Sequence, residues 1–136
     1  MTVPDASVVV SMLTVADVNH RVSARWFQAW EATGGPFDVA PILLIEVAAV
    51  IARLTGSPLE GYRAVRTLRR VPRLRFVDLD DVLHARAIRF AADLHLRGAD
   101  AVYVATAHLL GVPLVTWDDQ QMQRAAAVID VRKPTA

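Results

Sequence analysis

Short runs of β-branched residues alternate with longer helical runs along the chain, and this alternation limits the possible folds more than any other feature. Turn-forming residues separate the runs, at Gly34-Gly35-Pro36, Gly56-Ser57-Pro58, Pro72, Gly98 and Gly111-Val112-Pro113. The short runs predict five strands, near residues 2–4, 37–40, 74–79, 112–116 and 128–131. The longer runs predict seven helices, near residues 7–13, 20–32, 41–55, 59–71, 81–96, 99–110 and 119–127.

This order of elements predicts an α/β fold. Strands that are joined through helices pair in parallel, and the helices then cover both faces of the sheet. We therefore expect a three-layer α/β/α architecture with a small, mainly parallel sheet of five strands. The chain has the size of one domain, which we expect to span residues 1–136.

Composition excludes several classes of protein. The 54% hydrophobic and 21% charged content is typical of a globular protein and not of a disordered one. The absence of Cys excludes both a disulfide framework and a thiolate zinc site. The N-terminus lacks the pattern of a signal peptide, and the uncharged run from Ala101 to Trp117 is interrupted by Gly111 and Pro113. We expect a soluble cytoplasmic protein that does not bind membranes.

Basic charge is concentrated in one segment. The net charge is only +1, but all except one of the fifteen basic residues are Arg, and six of these lie between Arg63 and Arg75. Arg63, Arg66 and Arg70 fall on one face of the helix predicted near 59–71. Arg pairs well with phosphate oxygens, but a solvated helix face explains the same pattern.

Acidic residues stand at the ends of three predicted elements. Asp5 follows the first strand, Asp100 begins the helix near 99–110, and Asp118 follows the fourth strand, with Asp119 beside it. Each can be a helix N-cap, because a carboxylate accepts hydrogen bonds from the first free amides of a helix. Taken singly, these acids indicate no more than caps.

Glu46 differs because it stands inside an apolar helical run. Its helical neighbours include Ile42, Ala49 and Val50. A buried, unpaired carboxylate is costly and needs either a partner or a proton. An ion pair with Arg53, two turns further along the helix, and a role in a functional site are equally open interpretations.

Considered together, the four acids predict a metal site. Ligand sites of parallel α/β sheets gather at the carboxyl ends of the strands, and Asp5 and Asp118 stand at such ends. Glu46 and Asp100 can reach the same edge from their helices. Clustered carboxylates repel one another unless they share a cation. Since Cys is absent and the His residues are scattered, we expect Mg²⁺ or Mn²⁺, which suit phosphoryl chemistry.

The same residues resemble a known family. The segment Asp5-Ala6-Ser7, a Glu in a helix that begins at Pro41, "GADAVYVATA" and "LVTWD" occur here in the order seen in PIN-domain nucleases. The chain looks more closely still like the VapC toxins of type II toxin–antitoxin systems, over nearly its whole length. The resemblance implies a PIN-like fold. It implies an acidic set and two supporting hydroxyl residues, which are Asp5, Glu46, Asp100 and Asp118, with Ser7 and Thr116.

The chain departs from the family pattern near the last acid. Gln121 stands three residues after Asp118, where the family often has Leu. Asp119 makes the identity of the last acid ambiguous, but the Thr-x-Asp spacing from Thr116 favours Asp118.

The activity that this resemblance implies is hydrolysis of RNA phosphodiester bonds. Asp5, Asp100 and Asp118 would bind Mg²⁺ or Mn²⁺, and Glu46 would assist as a ligand or through a bound water. The expected partners are an RNA substrate, a cognate antitoxin and a second copy of the chain in a homodimer. The residues that could contact RNA are Arg63, Arg66, Arg70 and Trp117, the last by stacking on a base.

Other classes of function compete with this hypothesis. A catalytically silent PIN-fold module that binds RNA or protein is the main alternative, and the presence of all four acids speaks against it. A haloacid-dehalogenase-type phosphatase needs Asp-x-Asp at the end of the first strand, where Ser7 replaces the second Asp. A P-loop nucleotidase is excluded because no Gly-Lys-Ser/Thr sequence occurs.

Overall fold

A computed structural model describes residues 1–135, and within this range helices and short strands alternate as predicted. The strands are β1 (Val3–Pro4), β2 (Phe37–Val39), β3 (Leu74–Phe76), β4 (Leu114–Val115) and β5 (Val131–Arg132). The helices are α1 (Ala6–Leu13), α2 (His20–Thr33), α3 (Leu43–Thr55), α4 (Pro58–Arg69), α5 (Asp81–Asp93), α6 (Gly98–Leu110) and α7 (Asp119–Ala125). The predicted α/β class is confirmed.

The described strands pair in parallel, but their hydrogen bonds divide them into two groups. Strand β4 lies between β1 and β5, and β2 pairs with β3. The amides of Val3 and Asp5 donate to the carbonyls of Pro113 and Val115, on the side of β1 that faces β4. The backbone nitrogen between them therefore faces the opposite side, towards β2. That position is Pro4, which has no N–H to donate. Strands β1 and β2 therefore lie side by side without the ladder of one continuous five-stranded sheet.

Several predicted boundaries differ from the structure; among them, β3 ends at Phe76 and α5 at Asp93, each three residues before the predicted end, and two further differences have clear local reasons. Helix α3 begins at Leu43, because Pro41 and Ile42 form a turn that the Leu43 amide closes onto the Ala40 carbonyl (3.1 Å). Strand β5 was predicted near 128–131 and begins at Val131. The preceding amides fold back onto the Ala125 carbonyl at the end of α7, and the chain becomes extended only after this turn.

An aromatic cluster covers one end of β2. Trp26, Phe27 and Trp30 of α2 surround Phe37, with ring centroids 5.6, 5.8 and 4.1 Å from its ring. Phe37 is buried, and the three α2 rings are half-buried. The helix is attached to the sheet through these rings, as expected for core packing.

Helices α3 and α4 pack closely at a glycine. A Cβ atom added at Gly61 would lie 2.8 Å from the Ala48 carbonyl oxygen and 3.4 Å from the Ala52 Cβ. The carbonyl belongs to a helix backbone and cannot move aside without distorting α3. Gly61 therefore fixes the distance between the two helices.

In the part of the chain that the structure describes, no helix is both long and apolar enough to cross a membrane.

We predict that Gly61→Ala destabilises the protein by about 1–3 kcal/mol, because the new methyl group overpacks the α3–α4 contact. Urea unfolding followed by circular dichroism measures the loss. Gly98→Ala is the matched control, since a Cβ there meets nothing within 4 Å. A Gly61→Ala variant as stable as this control would contradict the proposed close contact.

Candidate active site

The four predicted acids line one cavity of about 580 Å³. Asp5 follows β1, Glu46 belongs to α3, and Asp100 lies in the first turn of α6. Asp118 is the residue directly before α7. These elements are distant in sequence, and the parallel strand order brings them to one edge of the sheet.

Asp5 is buried and held by hydroxyl groups. Its Oδ1 accepts a hydrogen bond from Ser7 Oγ (2.5 Å) and a longer one from the Val8 amide (3.3 Å). Its Oδ2 accepts a hydrogen bond from Thr116 Oγ1 (2.5 Å). Burial raises the pKa of Asp5 from 3.8 to about 6, although these hydrogen bonds lower it, and the nearby charge of Asp100 raises it further.

Ser7 and Thr116 connect Asp5 to the loop that follows β4. Ser7 Oγ accepts a hydrogen bond from the Trp117 amide (2.9 Å), and Thr116 Oγ1 accepts one from the Asp118 amide (2.9 Å). Each hydroxyl thus donates to the Asp5 carboxylate and accepts from the backbone beside it. The two side chains fix the end of β1 relative to the end of β4.

Asp118 is both the N-cap of α7 and a cavity residue. Its Oδ1 accepts hydrogen bonds from the amides of Gln120 (2.9 Å) and Gln121 (3.1 Å). Its Oδ2 lies 3.6 Å from Arg97 Nη2. Asp119 does not line the cavity; its side chain is 78% exposed and pairs with Lys133. The geometry therefore places Asp118, and not Asp119, with the other acids.

Glu46 lies half-buried on α3 and faces the cavity. The alternative partner, Arg53, lines the same cavity, but no ion pair within 4.0 Å joins the two side chains. Of the two interpretations that the sequence left open for Glu46, the structure therefore does not show the ion pair with Arg53.

Trp117 is fixed within its own domain. Its indole N–H donates to Ser23 Oγ (2.8 Å), and Ser23 Oγ is 2.6 Å from Ser11 Oγ. Both serines are buried, whereas the ring itself is half-buried and lines the cavity. The ring is therefore held in one orientation at the cavity wall.

The cavity is also lined by four polar residues that the sequence analysis did not identify: Asp17, Asn19, Arg97 and Tyr103. Arg97 donates to Asp100 across the turn at the start of α6, with 3.2 Å between Nε and Oδ2. Its spacing of three residues from Asp100 is the signal that could have identified it. Asp17 lies in the α1–α2 connection, where it resembles an ordinary turn residue.

Tyr103 lies behind the acids and is only 1% exposed. Its hydroxyl group donates to no acceptor among the described residues. Burial raises the pKa of Tyr103 above its ordinary value, and the charges of Glu46, Asp5 and Asp100 add to this effect. A buried donor without an acceptor is uncommon, and this one lies beside the carboxylate cluster.

The basic segment is divided between paired and unpaired side chains. Arg63 pairs with Glu60 (2.8 Å), Arg75 binds the buried Asp38 with two hydrogen bonds, and Arg73 stacks on the Trp30 ring. The other three Arg side chains of the segment make no ion pair with the described residues, and they border a shallow groove on α4; these are Arg66, Arg69 and Arg70.

We predict that the stability of Asp5→Asn relative to the natural protein depends on pH. The raised pKa means that the folded state binds the Asp5 proton more tightly than the unfolded chain. The resulting stabilisation is present below pH 3.8 and is lost as the pH rises through about 6. The variant should therefore gain about 2 kcal/mol relative to the natural protein between about pH 4 and about pH 7.5.

Urea unfolding in EDTA at both pH values measures this difference. The Asn side chain also changes the hydrogen bonds with Ser7 and Thr116. This effect on the free energy of unfolding is the same at both pH values and does not contribute to the difference between them. Asp119→Asn is the control, since Asp119 is exposed and lies outside the cavity. A pH-independent difference for Asp5→Asn would show that the folded protein does not perturb this carboxyl group.

Known structures share this fold. The VapC20 toxin of Mycobacterium tuberculosis, described as cleaving the sarcin–ricin loop, matches with a TM-score of 0.75 and 16% identity, over 95% of this chain and 96% of that one. A DNA-bound VapBC from Salmonella typhimurium matches with a TM-score of 0.72 and 14% identity, over 97% and 96%. A toxin–antitoxin complex from Klebsiella pneumoniae matches with a TM-score of 0.67 and 19% identity, over 98% of each chain.

No curated protein sequence matches this chain. The family model described as PIN domain matches residues 2–128, which include the four cavity acids and the two hydroxyl residues that hold Asp5. With nearly its whole length matched, the chain belongs to the PIN domain family.

Proposed function

We propose that this protein is a metal-dependent ribonuclease and the toxin of a toxin–antitoxin pair. The observation that carries the proposal is the convergence of Asp5, Glu46, Asp100 and Asp118 on one cavity of a PIN domain. Four carboxylates from four separate elements serve no evident packing purpose at one place. Carboxylates grouped in this way are the usual means of holding a divalent ion.

The donor chemistry of the cavity fits Mg²⁺ or Mn²⁺, which bind through oxygen. Asp5, Asp100 and Asp118 would hold the ion, and Glu46 would assist them. When bound, such an ion neutralises phosphate charge and activates water. As the side chains of residues 1–135 are placed, no three acidic or histidine groups are close enough together to hold a metal ion, so the acids must draw closer.

The protein's own contribution is to position the acids and to offset part of the cost of an ionised Asp5. Ser7 and Thr116 each donate to one Asp5 oxygen, which favours the charged form against the effect of burial. The Thr116 hydroxyl and the α7 amides together orient Asp118. Asp5 and Asp118 are thus oriented before any substrate arrives, which lowers the cost of organising the site.

The substrate and partners are proposed from the chemistry of the site and from the proteins of similar fold. VapC20 is described as acting on the sarcin–ricin loop, which supports RNA as the substrate class. The Klebsiella and Salmonella structures are complexes with antitoxins. Exposed apolar side chains give an antitoxin or a second copy of the chain a surface to cover, and among them are Val15, Val18, Ile45 and Leu54. Action on cellular RNA implies the cytoplasm.

We predict that the purified protein, freed of any partner, cleaves RNA with Mg²⁺ or Mn²⁺ and not with EDTA. Asp5→Asn and Asp100→Asn should lower the rate about a hundredfold or more, because a bound ion contributes several kcal/mol to the transition state. Asp119→Asn is the matched control and should retain the natural rate. Gel analysis of end-labelled ribosomal RNA fragments and transfer RNA measures the cleavage.

The outcomes of this experiment separate the competing functions. Cleavage that persists in both folded site variants would mean that these acids do not carry the activity. Absence of cleavage with every RNA, together with RNA binding, would favour the catalytically silent module.

We further propose that Arg66 and Arg70 contact RNA phosphates, while Arg63 contributes less because Glu60 pairs with it. Both unpaired side chains are exposed, Arg66 on α4 and Arg70 directly after its last residue. In an Asp100→Asn background, which prevents cleavage, Arg66→Gln combined with Arg70→Gln should weaken single-stranded RNA binding. The slope of log affinity against log salt should fall by about 1.4, since each phosphate contact contributes about 0.7.

Fluorescence anisotropy at several salt concentrations measures this slope. Arg86→Gln combined with Arg89→Gln on α5 removes the same charge from another helix and is the control. An equal effect of both pairs would indicate a general charge effect and contradict a contact on α4. A parallel Trp117→Leu variant should weaken binding without changing the salt slope, because stacking involves no ion release.

A further inference from the structure

Arg97 lies between two acids of the candidate site. Its Nε is 3.2 Å from Asp100 Oδ2, and its Nη2 is 3.6 Å from Asp118 Oδ2. Asp100 belongs to the first turn of α6, whereas Asp118 is the N-cap of α7. One guanidinium therefore joins carboxylates from two elements that are otherwise separate at the cavity.

The remaining acids of the cavity do not pair with Arg97. Asp5 is held by hydroxyl groups, and Glu46 makes no ion pair within 4.0 Å among the described residues. Glu46 is nevertheless close enough for its charge to add to the effect of Asp100 and Asp118, which together raise the pKa of Arg97. The guanidinium thus supplies positive charge at the exposed side of the acidic cluster.

Arg97 occupies carboxylate oxygen atoms that a divalent ion would also use. The oxygen of Asp118 that the α7 amides leave free is Oδ2, and this is the atom that faces Arg97. Asp100 likewise presents Oδ2 to Arg97. A guanidinium stays charged and has no acceptor, so it cannot bind a metal ion and repels one at these oxygens.

We propose that Arg97 is a resident counter-cation that competes with the divalent ion for Asp100 and Asp118, so that metal binding requires its displacement. This inference rests on the proposed metal site. It explains why the acids line one cavity without forming a ready-made ligand set within residues 1–135. Arg97 balances part of the negative charge of Asp100 and Asp118 in place of an ion.

The position of Arg97 allows this displacement at little cost. Its side chain is 79% exposed, and exposed ion pairs contribute little to stability. No buried packing is lost when it moves into solvent. The bidentate Arg75–Asp38 pair differs, because there the carboxylate is buried between two strands and nothing else satisfies it.

Calorimetric titration with Mn²⁺ tests the inference on the natural protein, Arg97→Gln and Arg97→Lys. Removing the competing charge should lower the Kd of Arg97→Gln about three- to tenfold. Arg97→Lys retains the charge and should bind close to the natural value. Arg89→Gln, which removes an exposed Arg elsewhere, is the matched control and should leave the Kd unchanged.

A second measurement guards against a general effect on folding. In EDTA, Arg97→Gln should have a lower Tm than the natural protein, because the acids then repel one another without a cation. Saturating Mn²⁺ should remove this difference. A Tm that stays lower in Mn²⁺ would assign Arg97 a structural role and overturn the competition.

The failure of this inference is distinguishable from failure of the proposed function. If Arg97→Gln binds Mn²⁺ no more tightly than the natural protein while Asp100→Asn loses binding, the metal site stands and the competition is wrong. If Asp100→Asn binds Mn²⁺ as the natural protein does, or if no variant binds it, the metal site falls and the competition falls with it.

Discussion

The arrangement of the site depends on the two hydrogen bonds that Asp5 accepts from Ser7 and Thr116. Each carboxylate oxygen receives one hydroxyl, and each hydroxyl accepts from the backbone after β4, at Trp117 or Asp118. Strands β1 and β4 are only two residues long, so their ladder alone gives a weak junction. The side-chain bonds extend that junction beyond the strands and carry it to the cavity, where Asp118 begins α7.

This junction places the Asp5 carboxylate in a buried position, where its charged form is disfavoured. Asp5 is 4% exposed and its pKa lies at about 6, so near neutral pH the protein folds around a carboxylate that burial disfavours. A fold selected for stability alone would have an uncharged residue there. The hydroxyl donors offset part of the cost, and a cation in the cavity would offset more. Arg97 acts in the same direction, because its positive charge offsets the negative charges of Asp100 and Asp118 next to Asp5.

The sequence predicts the fold class and the acidic set because both follow from simple patterns. Alternating strands and helices require parallel pairing, and carboxylates at strand ends then meet at one edge. The division of the sheet beside Pro4 depends on which neighbouring strand its backbone nitrogen faces. The sequence pattern does not show this direction. The separation of Glu46 from Arg53 depends on rotamers. The contact of Arg97 with Asp118 and the burial of Tyr103 behind the acids depend on how distant segments meet at the cavity, whereas the three-residue spacing of Arg97 from Asp100 is visible in the sequence.

The helix-cap and active-site interpretations of the acids proved compatible, because a carboxylate has two oxygens. Asp118 gives Oδ1 to the amides of α7 and turns Oδ2 to the cavity, while Asp5 caps α1 through Val8 and still lines the cavity. A cap uses the geometry of an oxygen acceptor, whereas a metal site uses negative charge. Asn keeps the first property and loses the second. Substitution by Asn therefore separates the contribution of these residues to folding from their contribution to chemistry, which substitution by Ala cannot do.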